Sequence, residues 1–225
     1  MQVSRWQRIG LRRPPVATAV VFMGTASTSV LGLVRPEVLA ALQRTPEGLH
    51  GDWWRSVTAL SVQDGGVVGT VSNLAFLLVL GALAEQVLGS RRWLVCYFGA
   101  GLAGELAGYA WQPRGAGNSV AICGLAGALV VALLAEAPVP RPAPVVLLYW
   151  CGALLATRWP PALLAGLAAG VGTQLALVRG LRVGRLAGAA AAVAALVLVA
   201  ARDLHGAAMV AGIAIGAAVG RPSAT

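Results

Sequence analysis

Gly117-Asn118-Ser119-Val120-Ala121-Ile122-Cys123-Gly124-Leu125 opens an apolar segment with a serine, and the rest of the chain is read outward from it. Of the two histidines, only His205 lies in a comparable setting, at the start of another apolar segment; His50 falls in a polar loop and is expected to be solvated. A serine and a histidine at the mouths of two membrane helices are a candidate nucleophile and base for chemistry inside a bilayer. The pairing requires that both segments span, run in the same direction and pack closely.

Composition decides the solvent. With 58% hydrophobic and 11% charged residues among 225, and a mean hydropathy of +0.77, the chain cannot build a water-facing surface. It reads as an all-α, polytopic transmembrane bundle forming a single membrane domain over residues 1–225, with tails at 1–15 and 221–225. The net charge of +9 would suggest nucleic acid in a soluble protein. Here the arginines sit in short runs between apolar segments, where they set orientation instead, so no nucleic-acid partner is expected. All 17 basic residues are arginine, a coding bias pointing to a GC-rich, bacterial genome. Cys96, Cys123 and Cys151 fall inside apolar segments without metal-ligand spacing and read as packing residues; no metal and no cofactor is expected.

Apolar runs bounded by Arg, Pro or Gly predict eight spans, at 16–34, 67–88, 93–111, 119–135, 145–157, 162–178, 186–201 and 204–219. The first follows a basic stretch and reads as an uncleaved helix, not a signal peptide. The fifth is short for a crossing, so whether it and the sixth both span stays open. If the segments alternate, one side holds Arg5, Arg8, Arg12, Arg13, Arg91, Arg92, Arg141, Arg179, Arg182, Arg185 and Arg221. The other side holds Arg35, Arg44, Arg55, Arg114, Arg158 and Arg202, diluted by most of the acids. That asymmetry places both termini in the cytoplasm of a multi-pass cell-membrane protein. Trp93, Trp111 and Trp159 at segment ends read as an interfacial belt, and Glu105, inside a span, as protonated or water-linked in the bundle interior.

On this topology Ser119 and His205 enter from the extracytoplasmic side on helices separated by three spans, so the two helices are parallel and the side chains lie at similar depth. Small residues supply the close approach that lipid does not drive. Ala208, Gly212 and Gly216 share a face with His205, and Ser119, Cys123 and Gly127 make a matching stripe.

With these residues placed, the chain resembles the rhomboid family of intramembrane serine proteases over roughly 53–129 and 203–220. Trp54-Arg55 looks like that family's loop motif, Asn73 like the asparagine of its second helix, and Glu85-x-x-x-Gly89 like that helix's end. Gly117-x-Ser119 with Gly124 resembles its serine motif, and His205 with Gly212 and Gly216 its histidine helix. The resemblance implies a six-helix core, with about two extra segments here. It makes Ser119 the nucleophile and His205 the general base, a dyad with no acidic third member, cutting transmembrane segments of other membrane proteins. It further implies an oxyanion held by the Ser119 N–H and the Asn73 amide, and a Gly117 that permits a close turn. Three positions depart from the pattern: Gly69 and Gln63 where histidines are usual, and Val120 where glycine follows the serine. They motivate an alternative, a catalytically inactive rhomboid-like protein that binds membrane clients.

Overall fold

The computed structural model describes residues 13–219. Arg5, Arg8, Arg12 and Arg221, the tail 221–225 and most of the tail 1–15 therefore lie outside the described residues. The chain runs α1 (Val16–Val34), α2 (Pro36–Leu42), α3 (Arg55–Thr58), α4 (Gly66–Leu88), α5 (Ser90–Trp111), α6 (Ser119–Leu134), α7 (Ala143–Ala156), α8 (Pro161–Val178), α9 (Gly184–Ala200) and α10 (Leu204–Val219). The eight long helices match the expected spans to within three residues at each end. Short 3-10 turns at Pro46–His50 and Ala59–Ser61 complete the α1–α4 connection.

Solvent preference shows in which face each helix hides. Helix α1 buries Ala17, Thr18, Thr25, Ser29 and Gly32 and leaves Val16, Val20, Met23 and Val30 exposed. Apolar residues outward and small, weakly polar ones inward is the arrangement lipid selects. Val16–Val34, Gly66–Trp111 and Pro161–Val178 meet the length and hydropathy of a span outright. Gly89, in the left-handed region at φ 71°, divides the second of these into α4 and α5. Helix α7, with 14 residues, rises about 21 Å against a hydrocarbon core of about 30 Å.

Helix α6 is the centre of the bundle. Apart from Ser119, Val131 and Leu134, all its residues are buried. It packs against α10 backbone to backbone, because a Cβ on Gly212 would lie 2.7 Å from Gly124 Cα and one on Gly216 2.9 Å from Ala128 Cα. Gly127 likewise faces Ile213, whose nitrogen would be 2.6 Å from its Cβ. Helix α5 closes the other side: a Cβ on Gly104 would sit 2.5 Å from Val120 Cγ1 and 2.7 Å from Ala208 Cβ. Helix α8 buries only Gly170 and rides on α7, where Gly152 and Gly166 touch.

Two expectations are corrected inside this core. Trp93 is no interfacial residue: it is fully buried, donates its indole N–H to the Gly81 carbonyl at 2.9 Å and stacks on Tyr97. Glu105 does lie in the bundle interior, but Arg44 leaves its loop to form a buried ion pair with it in place of the expected protonated or water-linked state. The guanidinium also donates to the Gln112 carbonyl and fits only because residue 108 is glycine. The cysteines are free and buried, as their apolar contexts predict.

Candidate active site

Ser119 is the first residue of α6, so its backbone N–H has no carbonyl partner within the helix. The loop before it is stitched to the segment preceding α4. Arg44 and Gly115 exchange backbone hydrogen bonds, Ala116 accepts from the Asp64 N–H, and the Gly117 N–H donates to the Ala59 carbonyl at 2.9 Å. The Asp64 carboxylate accepts from the Ala116 N–H at 2.9 Å. With the backbone so fixed, the Ser119 hydroxyl is not spent as a helix cap. It lies 2.9 Å from His205 Nε2.

His205 stands in the first turn of α10, and its ring is set by the turn that starts the helix. Helix α9 ends with Arg202 in the left-handed region at φ 55°, and the Asp203 N–H returns to the Leu198 carbonyl. Asp203 Oδ1 then accepts the His205 backbone N–H at 3.0 Å and lies 2.7 Å from its Nδ1. The resemblance implies a dyad without an acid; here a carboxylate lies beside the far nitrogen of the imidazole. Asp203 is 4% exposed, with Arg158 Nε 3.6 Å from its other oxygen. Burial pushes this carboxyl up, but the His205 ring, the His205 backbone N–H and Arg158 together hold it below its ordinary value.

Asn73 reaches the same place from α4. Its amide donates to Gln63 Oε1 at 2.7 Å, and Gln63 Nε2 donates to Asn118 Oδ1 at 2.8 Å. Gln63 and Asn118 are both buried, so one amide hydrogen of Asn73 is held and the other is left to point elsewhere. Gly117 shows how tight the cluster is. A Cβ there would lie 3.1 Å from Ser119 Oγ, 3.4 Å from Gln63 Oε1 and 3.8 Å from Asn73 Nδ2. Crowding around this position favours glycine.

Ser119, His205, Asn73, Glu105, Arg44 and Arg114 are among the residues lining a cavity of about 230 Å³. His205 is 20% exposed, so the reactive pair is reachable from outside the protein. The departures are accommodated: Val120 directs its bulk toward Gly104, and at Gly69 a Cβ would meet nothing within 4 Å. Gly69 brings no side-chain donor to the oxyanion region, and Gln63 meets Asn73 there.

The remaining motif residues are structural. Arg55 pairs with Asp52 at 2.9 Å and donates to the Ala40 and Gln43 carbonyls, folding the first loop, while neighbouring Trp54 is exposed. Glu85 and Gly89 lie at the other end of α4, about 18 and about 24 Å along the helix from Asn73. The Glu85 carboxylate accepts the backbone N–H groups of Ala17 and Thr18 and the hydroxyls of Thr18 and Ser90. It caps the start of α1. Gly212 and Gly216 serve the α6–α10 contact, and Gly124 the approach of α6 to α5, where a Cβ would lie 2.4 Å from the Cys96 carbonyl oxygen. Gln63, Asn118 and Asp203 were not assigned roles from sequence.

Comparison with known proteins agrees with this architecture. A family model described as the Rhomboid domain matches residues 50–180, more than half of the chain, and stops short of the histidine helix. The chain belongs to the rhomboid family. It is 34% identical over 108 residues to a protein named Rhomboid protease GluP from Bacillus subtilis, covering 47% of this chain and 21% of the relative. It is also 32% identical over 88 residues to one named Putative rhomboid protease YdcA from the same organism, covering 38% of this chain and 44% of the relative. The chain thus spans less than half the length of either curated relative. Family and apolar helices together make it a multi-pass membrane protein.

Proposed function

We propose that the protein is an intramembrane serine endopeptidase that cleaves transmembrane segments of other membrane proteins. The observation that carries this reading is the 2.9 Å contact between Ser119 Oγ and His205 Nε2, made across 86 residues of sequence inside a cavity. Ser119 Oγ attacks the substrate carbonyl carbon as its proton passes to His205 Nε2. The tetrahedral oxyanion is held by the Ser119 N–H and the Asn73 amide, oriented through Gln63. The N-termini of α6 and α10 both meet the site, adding positive potential where negative charge develops. Collapse of the intermediate returns the proton from His205 to the leaving amine and leaves an acyl-Ser119 that water hydrolyses. A client helix must unwind to present its peptide bond, so small or helix-breaking residues near its outer end favour cleavage. The arginine asymmetry supports a cell-membrane protein with both termini in the cytoplasm and the site on the opposite side.

The test is covalent labelling. Purified wild-type protein incubated with a fluorophosphonate probe is expected to be modified, and Ser119→Ala and His205→Ala to be blank. Equal labelling of wild type and Ser119→Ala would sink the proposal. The alternative that Gly69 and Val120 motivate is a rhomboid-like scaffold that binds membrane helices without cutting them. Folded wild-type protein that resists the probe would support it.

A further inference from the structure

We infer that Asp203 is the third member of the reactive group, a positioning residue that selects the tautomer of His205 and balances the charge the ring acquires. The inference rests on the serine-protease reading and goes beyond the two-residue machinery the resemblance implies. Its basis is a single oxygen with two jobs. Asp203 Oδ1 accepts the backbone N–H of His205 at 3.0 Å and lies 2.7 Å from Nδ1 of the same residue. The two contacts lock the ring to its own backbone, with Nε2 pointing at Ser119 Oγ.

The chemistry follows from which nitrogen carries the proton. A carboxylate can only accept, so Nδ1 must be the protonated nitrogen of the neutral ring, leaving Nε2 with its lone pair toward the serine. When Ser119 Oγ bonds to the carbonyl carbon, the Oγ–H bond breaks and its proton arrives on Nε2. Nδ1 keeps its own proton throughout, and the imidazolium stands beside the Asp203 carboxylate. Asp203 stays ionised during this step because Arg158 on the α7–α8 connection is 3.6 Å from its second oxygen and because it is held below its ordinary pKa. The other charged groups lining the cavity with His205 are Asp64, Arg114, Glu105 and Arg44. Glu105 and Arg44 form their own ion pair, the Asp64 carboxylate accepts the Ala116 N–H, and the Nδ1 contact is with Asp203. The alternative role, capping α10, uses the backbone contact alone.

Substitutions that keep the cap and change the partner of Nδ1 separate the two roles. Asparagine and serine cap helices as well as aspartate does. Asp203→Asn and Asp203→Ser should melt within a few degrees of wild type, yet react with the fluorophosphonate at least about 100-fold more slowly, toward the roughly 10,000-fold loss that removing the acid from a serine triad can cause. In protein labelled with 15N-histidine, which carries only His50 and His205, the His205 signals of wild type should report a protonated Nδ1 and an unprotonated Nε2. Asp203→Ser should shift them toward the other tautomer. Labelling rates within threefold of wild type, or unchanged nitrogen signals in Asp203→Ser, would overturn the assignment. If folded wild type is not labelled at all, the protease reading falls, and the nitrogen signals still decide whether Asp203 sets the ring.

Discussion

At the scale of single residues, the site is governed by which polar atoms are already committed. Asn73 has one amide hydrogen held by Gln63, and Gly69 provides nothing in compensation, so under the proposed mechanism the oxyanion depends on Asn73 more heavily than it would in a site with further donors. Asn73→Ala is expected to slow probe labelling about 100- to 1000-fold, the usual loss for one such donor, with little change in melting temperature. Gln63→Ala should reproduce part of that loss, because it frees the Asn73 amide to rotate. Asp203 adds a dependence on pH. Its folded-state pKa lies below the ordinary 3.8, so its contribution to stability is present above that value and is lost as pH falls through the folded-state pKa. Melting temperature measured in detergent should fall with acidification below about pH 4, and Asp203→Asn should remove part of that slope.

At the scale of elements, two contacts set where the reactive residues stand. The α6–α10 crossing is the tighter. Gly212→Val should force the helices apart, since its Cβ meets Gly124 Cα at 2.7 Å, whereas Gly172→Ala on α8 meets nothing within 4 Å. Labelling should be lost in the first variant and retained in the second. Glu85 sets the other contact. Glu85→Ala strands the first amides of α1 and should cost about 1–3 kcal/mol of stability, read as a lower melting temperature. How far the sequence revealed this depends on the kind of signal. The eight helices were legible because lipid imposes long apolar runs, and the parallel placement of Ser119 and His205 followed from counting spans. Trp93 was misplaced, and the pairing of Arg44 with Glu105 was unseen, because position in a segment says nothing about which way a side chain turns. Gln63 and Asn118 were invisible as partners because their hydrogen bonds join loops and helices distant along the chain. Asp203 is close to His205 in sequence, but its contact with the ring depends on the Arg202 turn, which no periodicity encodes.

At the scale of the whole molecule, the bundle is uneven. Helices α5, α6 and α10 interlock through glycine and alanine, whereas α8 exposes almost its entire length to lipid and touches mainly α7. The proposed orientation makes a further test. Reporter domains fused after residue 225 should be active only on the cytoplasmic side, and one inserted between α5 and α6 only on the opposite side; the reverse pattern would invert the arginine reading.

The glycine contact between α6 and α10 has a practical consequence. The proposed nucleophile and base are mounted on the two elements whose backbones are in closest register, so the proposed chemistry has no flexible arm that could be disabled while the rest of the molecule survives. Heat should therefore extinguish probe reactivity and helical ellipticity at one temperature, and a sample that has gone silent should also be one that has come apart.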